Sequence, residues 1–411
     1  MKEKQTNRLL RMISIFLIAL GVTGLSAVLF MADGGTFQEK TEEEVITFAL
    51  YGDTQMQRIA DQVAETFMEQ HHCRVEIYCY STGEEERTQV VGQLAGGKGF
   101  DAFYVNPELL EMLLQNREVV SLEGVLQERR QEGDSFYAAA LEEGKIGGVQ
   151  YALPTGVMPY MIYYNQSLLE EYGIQDPQTL FRGKGWNFSA FADCLRTLGD
   201  ASGGPALALS SGWETVEPLL RAEGGGFVRQ EEGIVLDSQA ESTAEAFGAL
   251  EREGRAIFCN EEEYQKMKQQ FVRGELPMIA GGLEMTRLCS NADFSWDILP
   301  WPSWDSDFQN SNFQVPLIAV GNGEHTELAE EFVSYYVSAL GQKLRLENGE
   351  CLMPSLNMVF YTSMGNVRFP EHSNYYFFAM ENGYACENRD TSEQERRKIL
   401  DLWDSCRKED T

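Results

Sequence analysis

The sequence contains few histidines, and none of them has the spacing of a catalytic metal site. Four are present among 411 residues, namely His71, His72, His325 and His372. A His-Glu-x-x-His motif, which places two imidazoles on one face of a helix, does not occur. A Gly-x-Ser-x-Gly nucleophile turn and a phosphate-binding Walker loop are also missing. We therefore predict that the chain is not an enzyme and that it has no catalytic residue, cofactor or metal site.

Basic residues are scarce relative to acidic ones. The chain has 33 lysines and arginines against 64 aspartates and glutamates, which gives a formal net charge of −31. Such a charge repels phosphate backbones, so nucleic-acid binding is excluded. A strongly acidic surface keeps a protein soluble. It also leaves open, as an alternative, a cationic ligand such as a polyamine.

The eight cysteines are scattered, and no Cys-x-x-Cys pair occurs. Cys73 and Cys79 fall on one predicted strand, which separates them by about 20 Å, too far for a disulfide. Buried thiols and disulfides to other cysteines are both compatible with the sequence. The cysteines therefore assign neither the fold nor the compartment.

One long hydrophobic run occurs, near the N-terminus. Met12 to Ala32 is 21 residues without a charge, about 31 Å as a helix, which is long enough to span a bilayer. Basic residues precede the run and acidic residues follow it, so the positive-inside rule places the rest of the chain outside the membrane. We predict an uncleaved anchor. A cleaved signal peptide is the alternative, although no cysteine follows the run and Phe30 is bulky for a cleavage site.

A βαβαβ pattern follows this segment. Val45 to Leu50 is a continuous apolar run typical of a buried parallel strand. A helix with an apolar stripe from Met56 to Phe67 comes next. Val75 to Cys79 and Phe100 to Val105 are further strands, with a helix from Glu84 to Leu94 between them. This order predicts an α/β fold with a right-handed parallel sheet, whose ligands bind beyond the carboxyl ends of the strands.

Several short motifs then follow one another in a fixed order. They are Gly-x-x-Tyr-Ala-Leu-Pro ending at Pro154, an apolar stretch ending in Tyr164-Asn165, Leu-x-x-x-Gly-Ile ending at Ile174, Trp-x-x-x-x-Phe beginning at Trp186, and, later, Gly-x-x-x-x-Pro beginning at Gly349. In this order they resemble the extracellular solute-binding proteins of ABC importers, in particular the two-lobed sugar binders of the maltose-binding type. The resemblance covers roughly residues 45 to 360.

This resemblance implies a two-lobed, periplasmic-binding-protein-like fold of type II. Each lobe is expected to be a mixed sheet flanked by helices, with the ligand cleft between the lobes. The expected division is 1–44 for the membrane segment and linker, 45–150 and 306–350 for the first lobe, and 151–305 and 351–411 for the second.

The resemblance and the rule for open sheets together select ligand-binding candidates. Tyr51 and Asp53 follow the first strand and Asp101 begins the third, and the family places both segments near a sugar. Asp53 is equally suited to cap the next helix, and a structural hydrogen bond is the alternative role for Asp101. Thr155 and Tyr160 follow the first predicted crossing between the lobes and are expected to face the cleft.

Two tryptophans and a glutamate complete the set. A sugar requires aromatic rings against its C–H faces and polar groups for its hydroxyls. Trp213 and Trp301 are predicted in loops beside turn residues, where they either stack on a sugar or pack. Glu284 follows Leu283 at a turn after which many family members place a sugar-stacking tryptophan. This departure argues against a standard oligosaccharide site.

The function implied by the resemblance is solute capture at the extracellular face of the membrane. The chain is expected to act as a monomer that binds a small solute, first of all a carbohydrate, and delivers it to the permease subunits of an ABC transporter. The alternative from another class is a membrane-anchored sensor that signals to a histidine kinase, because an uncleaved anchor suits that role.

Overall fold

The structure of the chain, a computed structural model, describes residues 44–221, 225–231, 233–302, 312–356, 368–385 and 391–408. Residues 45–411 form one compact unit. The predicted membrane anchor, Met12 to Ala32, lies outside the described residues. Within those residues, no helix combines the length and the apolar composition that crossing a membrane requires.

Strands and helices alternate along most of the chain. The strands are β1 (Val45–Tyr51), β2 (Arg74–Tyr80), β3 (Ala102–Val105), β4 (Lys145–Ile146), β5 (Val149–Gln150), β6 (Ala152–Pro154), β7 (Met158–Pro159), β8 (Met161–Asn165), β9 (Leu207–Ser210), β10 (Phe227–Gln230), β11 (Gly233–Leu236), β12 (Ala256–Cys259), β13 (Met278–Gly281), β14 (Trp296–Leu299), β15 (Asn312–Gln314), β16 (Leu317–Val320) and β17 (Tyr384–Ala385). The helices are α1 (Thr54–His71), α2 (Gly83–Ala95), α3 (Pro107–Gln115), α4 (Glu123–Gln131), α5 (Ala138–Glu143), α6 (Gln166–Glu171), α7 (Gln178–Arg182), α8 (Phe188–Ser202), α9 (Trp213–Leu220), α10 (Ser238–Arg252), α11 (Glu261–Val272), α12 (Glu284–Cys289), α13 (Thr326–Val337), α14 (Ala339–Glu347), α15 (Asn374–Asn382) and α16 (Glu393–Lys408).

The first lobe is built on a mixed five-stranded sheet in the order β2-β1-β3-β16-β6. β1 is parallel to β2 and β3, as the βαβαβ pattern predicts, whereas β16 is antiparallel to β3 and to β6. β16 therefore returns from a distant part of the sequence to complete this sheet. β6 belongs to the same sheet, so the chain leaves the first lobe after Pro154 rather than after Gln150.

The second lobe has its own five-stranded sheet, in the order β12-β9-β13-β8-β14. β12, β9 and β13 are parallel, and β8 is antiparallel to β13 and β14. The C-terminal helix α16 also belongs here, because its Ile399 and Trp403 lie in the core of this lobe. Each lobe is thus a mixed sheet with helices, the two-lobed α/β fold that the motifs predict.

The segments that connect the lobes lie side by side. β7 pairs antiparallel with β15, and β17 pairs parallel with β15. A further bridge joins Val157 to Met353. These paired crossing segments between the two lobes are called the hinge below, and β7 and β15 are its hinge strands.

The apolar patterns that predict the helices are buried as expected. In α1 the buried positions repeat at helical spacing; they are Ile59, Ala60, Val63, Ala64 and Phe67. All but Ile59 pack in the core of the first lobe. Helix starts carry the residues that favour them: the Asn165 side chain accepts a hydrogen bond from the Leu168 N–H at 3.0 Å and caps α6.

A buried ion pair fixes the hinge to the first lobe. Both nitrogen–oxygen distances from Arg345 Nη1 to the Glu350 carboxylate are short, 2.5 and 2.6 Å. Arg345 Nη2 also donates to the backbone oxygen of Thr155, the residue that follows β6. The guanidinium lies over the Tyr336 ring, 4.4 Å from its centroid. One arginine thereby joins α14, its following turn and the first crossing segment.

Candidate functional site

A cavity of about 280 Å³ is lined by residues of both lobes and of the hinge. Tyr51 and Asn106, which lie at the carboxyl ends of β1 and β3, form part of its first-lobe wall. Gln314 of the hinge strand β15 and Arg396 of α16 complete it. Ligands of open α/β sheets bind beyond the carboxyl ends of strands, and clefts between domains are common ligand sites. This cavity is therefore the candidate site.

The ends of two strands hold Tyr51 and Asn106 in place. The Tyr51 ring is 40% exposed and packs edge-on against Tyr104, with the ring centroids 5.8 Å apart. The Asn106 side chain accepts a hydrogen bond from the Leu109 N–H at 2.8 Å and caps α3. The half-exposed ring adds an apolar surface to a wall that also contains polar and charged side chains.

Glu86 is a buried acidic group in the wall of the cavity. It lies in the first turn of α2 with 3% of its surface exposed, and its Oε1 has no hydrogen-bond partner among the described residues. Burial disfavours the charged form of a carboxyl. It raises the pKa of Glu86 to about 8, against the opposing effect of Arg87. The Glu86 carboxyl is therefore largely protonated at neutral pH.

Arg396 contributes a positive charge from the second lobe. Its Nε donates to the backbone oxygen of Thr391 at 3.1 Å, and its Cζ lies 5.8 Å from the centroid of the Trp213 ring. The next residue, Arg397, places Nη2 3.8 Å from Glu84 Oε2 of the first lobe. Both members of that pair are largely exposed, so it contributes little to stability, but it shows that α16 approaches α2 beside the cavity.

Comparison of the sequence with known families identifies the chain. Residues 53–343, more than half of its 411 residues, match the family described as bacterial extracellular solute-binding protein. The chain belongs to this family. Its members bind small molecules and work with ABC transporters, so the family predicted from the motifs is confirmed. No curated protein matches this sequence.

Solved structures of solute-binding proteins share the fold at low sequence identity. The GacH receptor of Streptomyces glaucescens, solved with acarbose, has a TM-score of 0.72 at 18% identity, covering 89% of this chain and 95% of that chain. Lmo0181 of Listeria monocytogenes, in complex with cycloalternan, has a TM-score of 0.70 at 16% identity, and the match covers 89% of this chain and 97% of that chain. UgpB of Mycobacterium tuberculosis, in complex with glycerophosphocholine, has a TM-score of 0.68 at 12% identity, and the match covers 87% of this chain and 92% of that chain. At these identities the similarity establishes the fold alone.

Of the residues predicted to bind ligand in this solute-binding protein, Tyr51 lines the cavity. The two predicted aspartates, Asp53 and Asp101, instead accept hydrogen bonds from backbone N–H groups of the first lobe. Asp53 accepts hydrogen bonds from the Gln55 and Met56 N–H groups, each at 2.9 Å, and caps α1. Asp101 Oδ2 accepts from the backbone N–H and the hydroxyl of Thr47, at 2.8 and 2.7 Å. Asp53 thus caps a helix and Asp101 makes structural hydrogen bonds, the alternative roles that the sequence allows for them.

Three other predicted residues are buried instead of facing an open cleft. Thr155 is 1% exposed, and its hydroxyl donates to the Pro316 oxygen at 3.1 Å. Tyr160 and Trp301 stack with their planes 8° apart inside the second-lobe core, where Trp301 is 1% exposed. Trp301 lies outside the helices and strands, as predicted, and of the two roles left open for it the one present is packing.

The reason for the burial of Trp301 lies in a neighbouring contact. The Trp186 indole N–H donates to the backbone oxygen of Pro300 at 2.9 Å, which holds the proline-flanked segment against the second lobe. Turn residues around Trp301 indicate an irregular backbone, but they do not decide whether such a segment faces solvent.

The last two predicted residues begin helices of the second lobe. Trp213 is the first residue of α9 rather than part of a loop, and it is 9% exposed in the core of that lobe. Trp213 is not among the residues that line the cavity, but its ring contacts the guanidinium of Arg396, which does line it. Glu284 is the first residue of α12 and pairs with Lys268 Nζ at 3.1 Å.

One group of side chains in the described part of the chain has the spacing of a metal site. Potential ligand atoms of Asp297, Glu371 and His372 all lie within 4.8 Å of one another. Both ring nitrogens of His372 already have partners, however: Nδ1 contacts the buried Asp297 carboxylate and Nε2 contacts Arg182. His372 therefore joins two segments of the second lobe through hydrogen bonds to Asp297 and Arg182.

The cavity residues that the sequence analysis did not select include Glu86, Arg87, Gln314 and Arg396. The rule that places ligands beyond the carboxyl ends of strands indicates the first two when it is applied to β2, because α2 begins directly after that strand. Gln314 and Arg396 have no local signal. They reach the cavity through the pairing of the hinge strands and the packing of the C-terminal helix.

Proposed function

We propose that this chain captures a carbohydrate between its lobes and delivers it to an ABC permease when the lobes close on it. The observation that carries the proposal is the cavity, where polar side chains from both lobes and the hinge converge beside the Tyr51 ring. A ligand that touches both lobes favours the closed arrangement, because its contacts with the second lobe form only on closure.

The groups in the cavity match the chemistry of a hydroxyl. Arg87 and Arg396 supply N–H donors, and the Glu86 carboxyl supplies an acceptor oxygen and, while it is protonated, an O–H donor. A sugar hydroxyl both donates and accepts. The Tyr51 ring suits an apolar C–H face. The wall holds three glutamates beside these two arginines, so a cationic ligand such as a polyamine stays the alternative that the binding screen tests. Acarbose and cycloalternan, bound by two structural neighbours, are saccharides.

A second ligand class is a phosphodiester of a polyol. UgpB of Mycobacterium tuberculosis binds glycerophosphocholine on the same fold. The pair Arg87 and Arg396 is the observation in this chain that favours it, because guanidinium groups recognise phosphate oxygens well.

Thermal unfolding in the presence of candidate ligands tests the proposal. Residues 45–411 are screened with maltooligosaccharides, acarbose, glycerophosphocholine and spermidine. A ligand at 100 times its dissociation constant adds about 2.7 kcal/mol to the folded state, enough to raise the midpoint by several degrees. We expect the shift with a saccharide series. A shift with glycerophosphocholine or spermidine alone would contradict the carbohydrate assignment.

Transport and sensing predict different losses when the chain is removed from the cell. If the chain feeds a permease, uptake of the bound saccharide disappears with it. If closure signals to a histidine kinase, uptake continues and saccharide-dependent phosphorylation of the kinase is lost. We expect the first result, since the family works with ABC transporters.

A further inference from the structure

Glu86 differs from the other glutamates of the cavity wall, Glu84 and Glu108, because it is buried and they are exposed. It exposes 3% of its surface, and its Oε1 has no hydrogen-bond partner among the described residues. A buried polar atom without a partner is unfavourable. Because Glu86 lines the cavity, a molecule bound there can supply a hydrogen bond to its carboxyl group.

The surroundings of Glu86 contain both signs of charge. Arg87 of the same helix attracts the carboxylate, and Tyr80 at the end of β2 interacts with it electrostatically. The charged and titratable side chains that share the cavity wall with Glu86 are Tyr51 of β1, Glu84 and Arg87 of α2, Glu108 of α3 and Arg396 of α16.

We propose that Glu86 is the residue that selects a hydroxyl-bearing ligand, and that the ligand displaces a proton from this carboxyl when it binds. This inference rests on the proposed function and deepens it. The ligand hydroxyl donates its hydrogen bond to the Glu86 carboxylate, while the guanidinium groups of Arg87 and Arg396 donate to ligand oxygens. The proton leaves the carboxyl for the solvent, and no bond of the ligand is broken.

The coupling makes capture depend on pH in a defined direction. Burial raises the pKa of Glu86 from its usual 4.5 to about 8, so the carboxyl carries a proton at pH 7. Binding favours the charged form, which lowers that pKa in the complex. Affinity therefore rises with pH up to about 8 and is constant above it, with a slope of at most about tenfold per pH unit.

Titration calorimetry of the full chain with maltotriose tests the inference. It is carried out between pH 6 and pH 9, in buffers with different ionisation enthalpies. We expect the dissociation constant to fall by up to about tenfold per pH unit below pH 8, with up to one proton released for each maltotriose bound, and no proton release well above pH 8. Glu86→Gln keeps the shape of the side chain and removes its titration, so it should bind more weakly and equally at every pH.

Glu111→Gln is the matched control, because Glu111 is an exposed glutamate of α3 that is not among the residues lining the cavity. This variant should keep the pH dependence of the unaltered chain. Maltotriose binding with a constant affinity and no proton release would overturn the inference and leave the proposed function in place. An unchanged pH dependence in Glu86→Gln would also overturn it.

A second measurement needs no saccharide and decides whether Glu86 titrates as the inference requires. A carboxyl whose pKa is raised in the folded state gives stability below its unfolded pKa, and that stability is lost as pH rises through the folded pKa. The melting temperature of the unaltered chain should therefore fall relative to Glu86→Gln between about pH 4.5 and pH 8. Parallel melting curves would refute the inference, whereas absent maltotriose binding would count against the proposed function.

Discussion

Replacing Arg345 by methionine is expected to lower the free energy of unfolding by about 3–5 kcal/mol, because Glu350 then stays buried without its partner. Both side chains are almost fully enclosed, at 0% and 4% exposure. The substitution also removes the hydrogen bond from Nη2 to the Thr155 oxygen, 2.5 Å long, which holds the first crossing segment. Denaturant unfolding followed by circular dichroism measures the loss.

The double substitution Arg345→Met with Glu350→Leu is the control for this effect. A buried ion pair replaced by apolar residues of similar volume is often close to neutral, since the cost of removing two charges from water disappears with them. We expect the double variant to regain most of the lost stability. A single variant within about 1 kcal/mol of the unaltered chain would show that the pair is solvated and that it does not anchor the hinge.

Replacing Trp301 by alanine is expected to destabilise the second lobe by about 3–5 kcal/mol, through loss of a buried aromatic side chain and the cavity it leaves. The ring is enclosed in the core, stacks on Tyr160 with centroids 6.5 Å apart, and offers no exposed face to a ligand. Its indole nitrogen has no hydrogen-bond partner among the described residues, so phenylalanine loses volume but no hydrogen bond.

Trp301→Phe should therefore retain most of the stability that Trp301→Ala loses. Thermal unfolding of both variants, followed by calorimetry with a bound saccharide, separates packing from ligand contact. If Trp301→Ala kept the melting temperature and abolished saccharide binding, the ring would contact the ligand and the assignment of Trp301 to the core would be wrong.

Most of the fold is predictable from the sequence because its signals are local. The apolar run from Val45 and the stripe that includes Ile59 and Phe67 have the periods of a strand and a helix, and the structure contains both elements. Parallel pairing of the first strands follows from their connection through helices. The return of β16 to the first sheet comes from the family resemblance, since no local pattern specifies a partner so far along the chain.

The site is less predictable than the fold. Whether a side chain is exposed, and which side chains meet in the cavity, depend on contacts between residues far apart in the sequence. Tyr51 is predictable because it ends a strand at the edge where ligands bind. Trp213 and Trp301 are expected in loops from their neighbours in the sequence, but the packing of the second-lobe core decides their burial. Arg396 enters the cavity because α16 packs on the second lobe with Ile399 and Trp403 in its core, and no feature of its own sequence indicates this.

Small-angle X-ray scattering of residues 45–411 during a maltotriose titration tests the central claim most directly. The claim is that a carbohydrate bound between the lobes closes them about the hinge strands β7 and β15. It predicts a radius of gyration that decreases with the occupancy measured by calorimetry under the same conditions. A saccharide that binds at full occupancy and leaves the scattering curve unchanged would contradict capture by closure of the lobes.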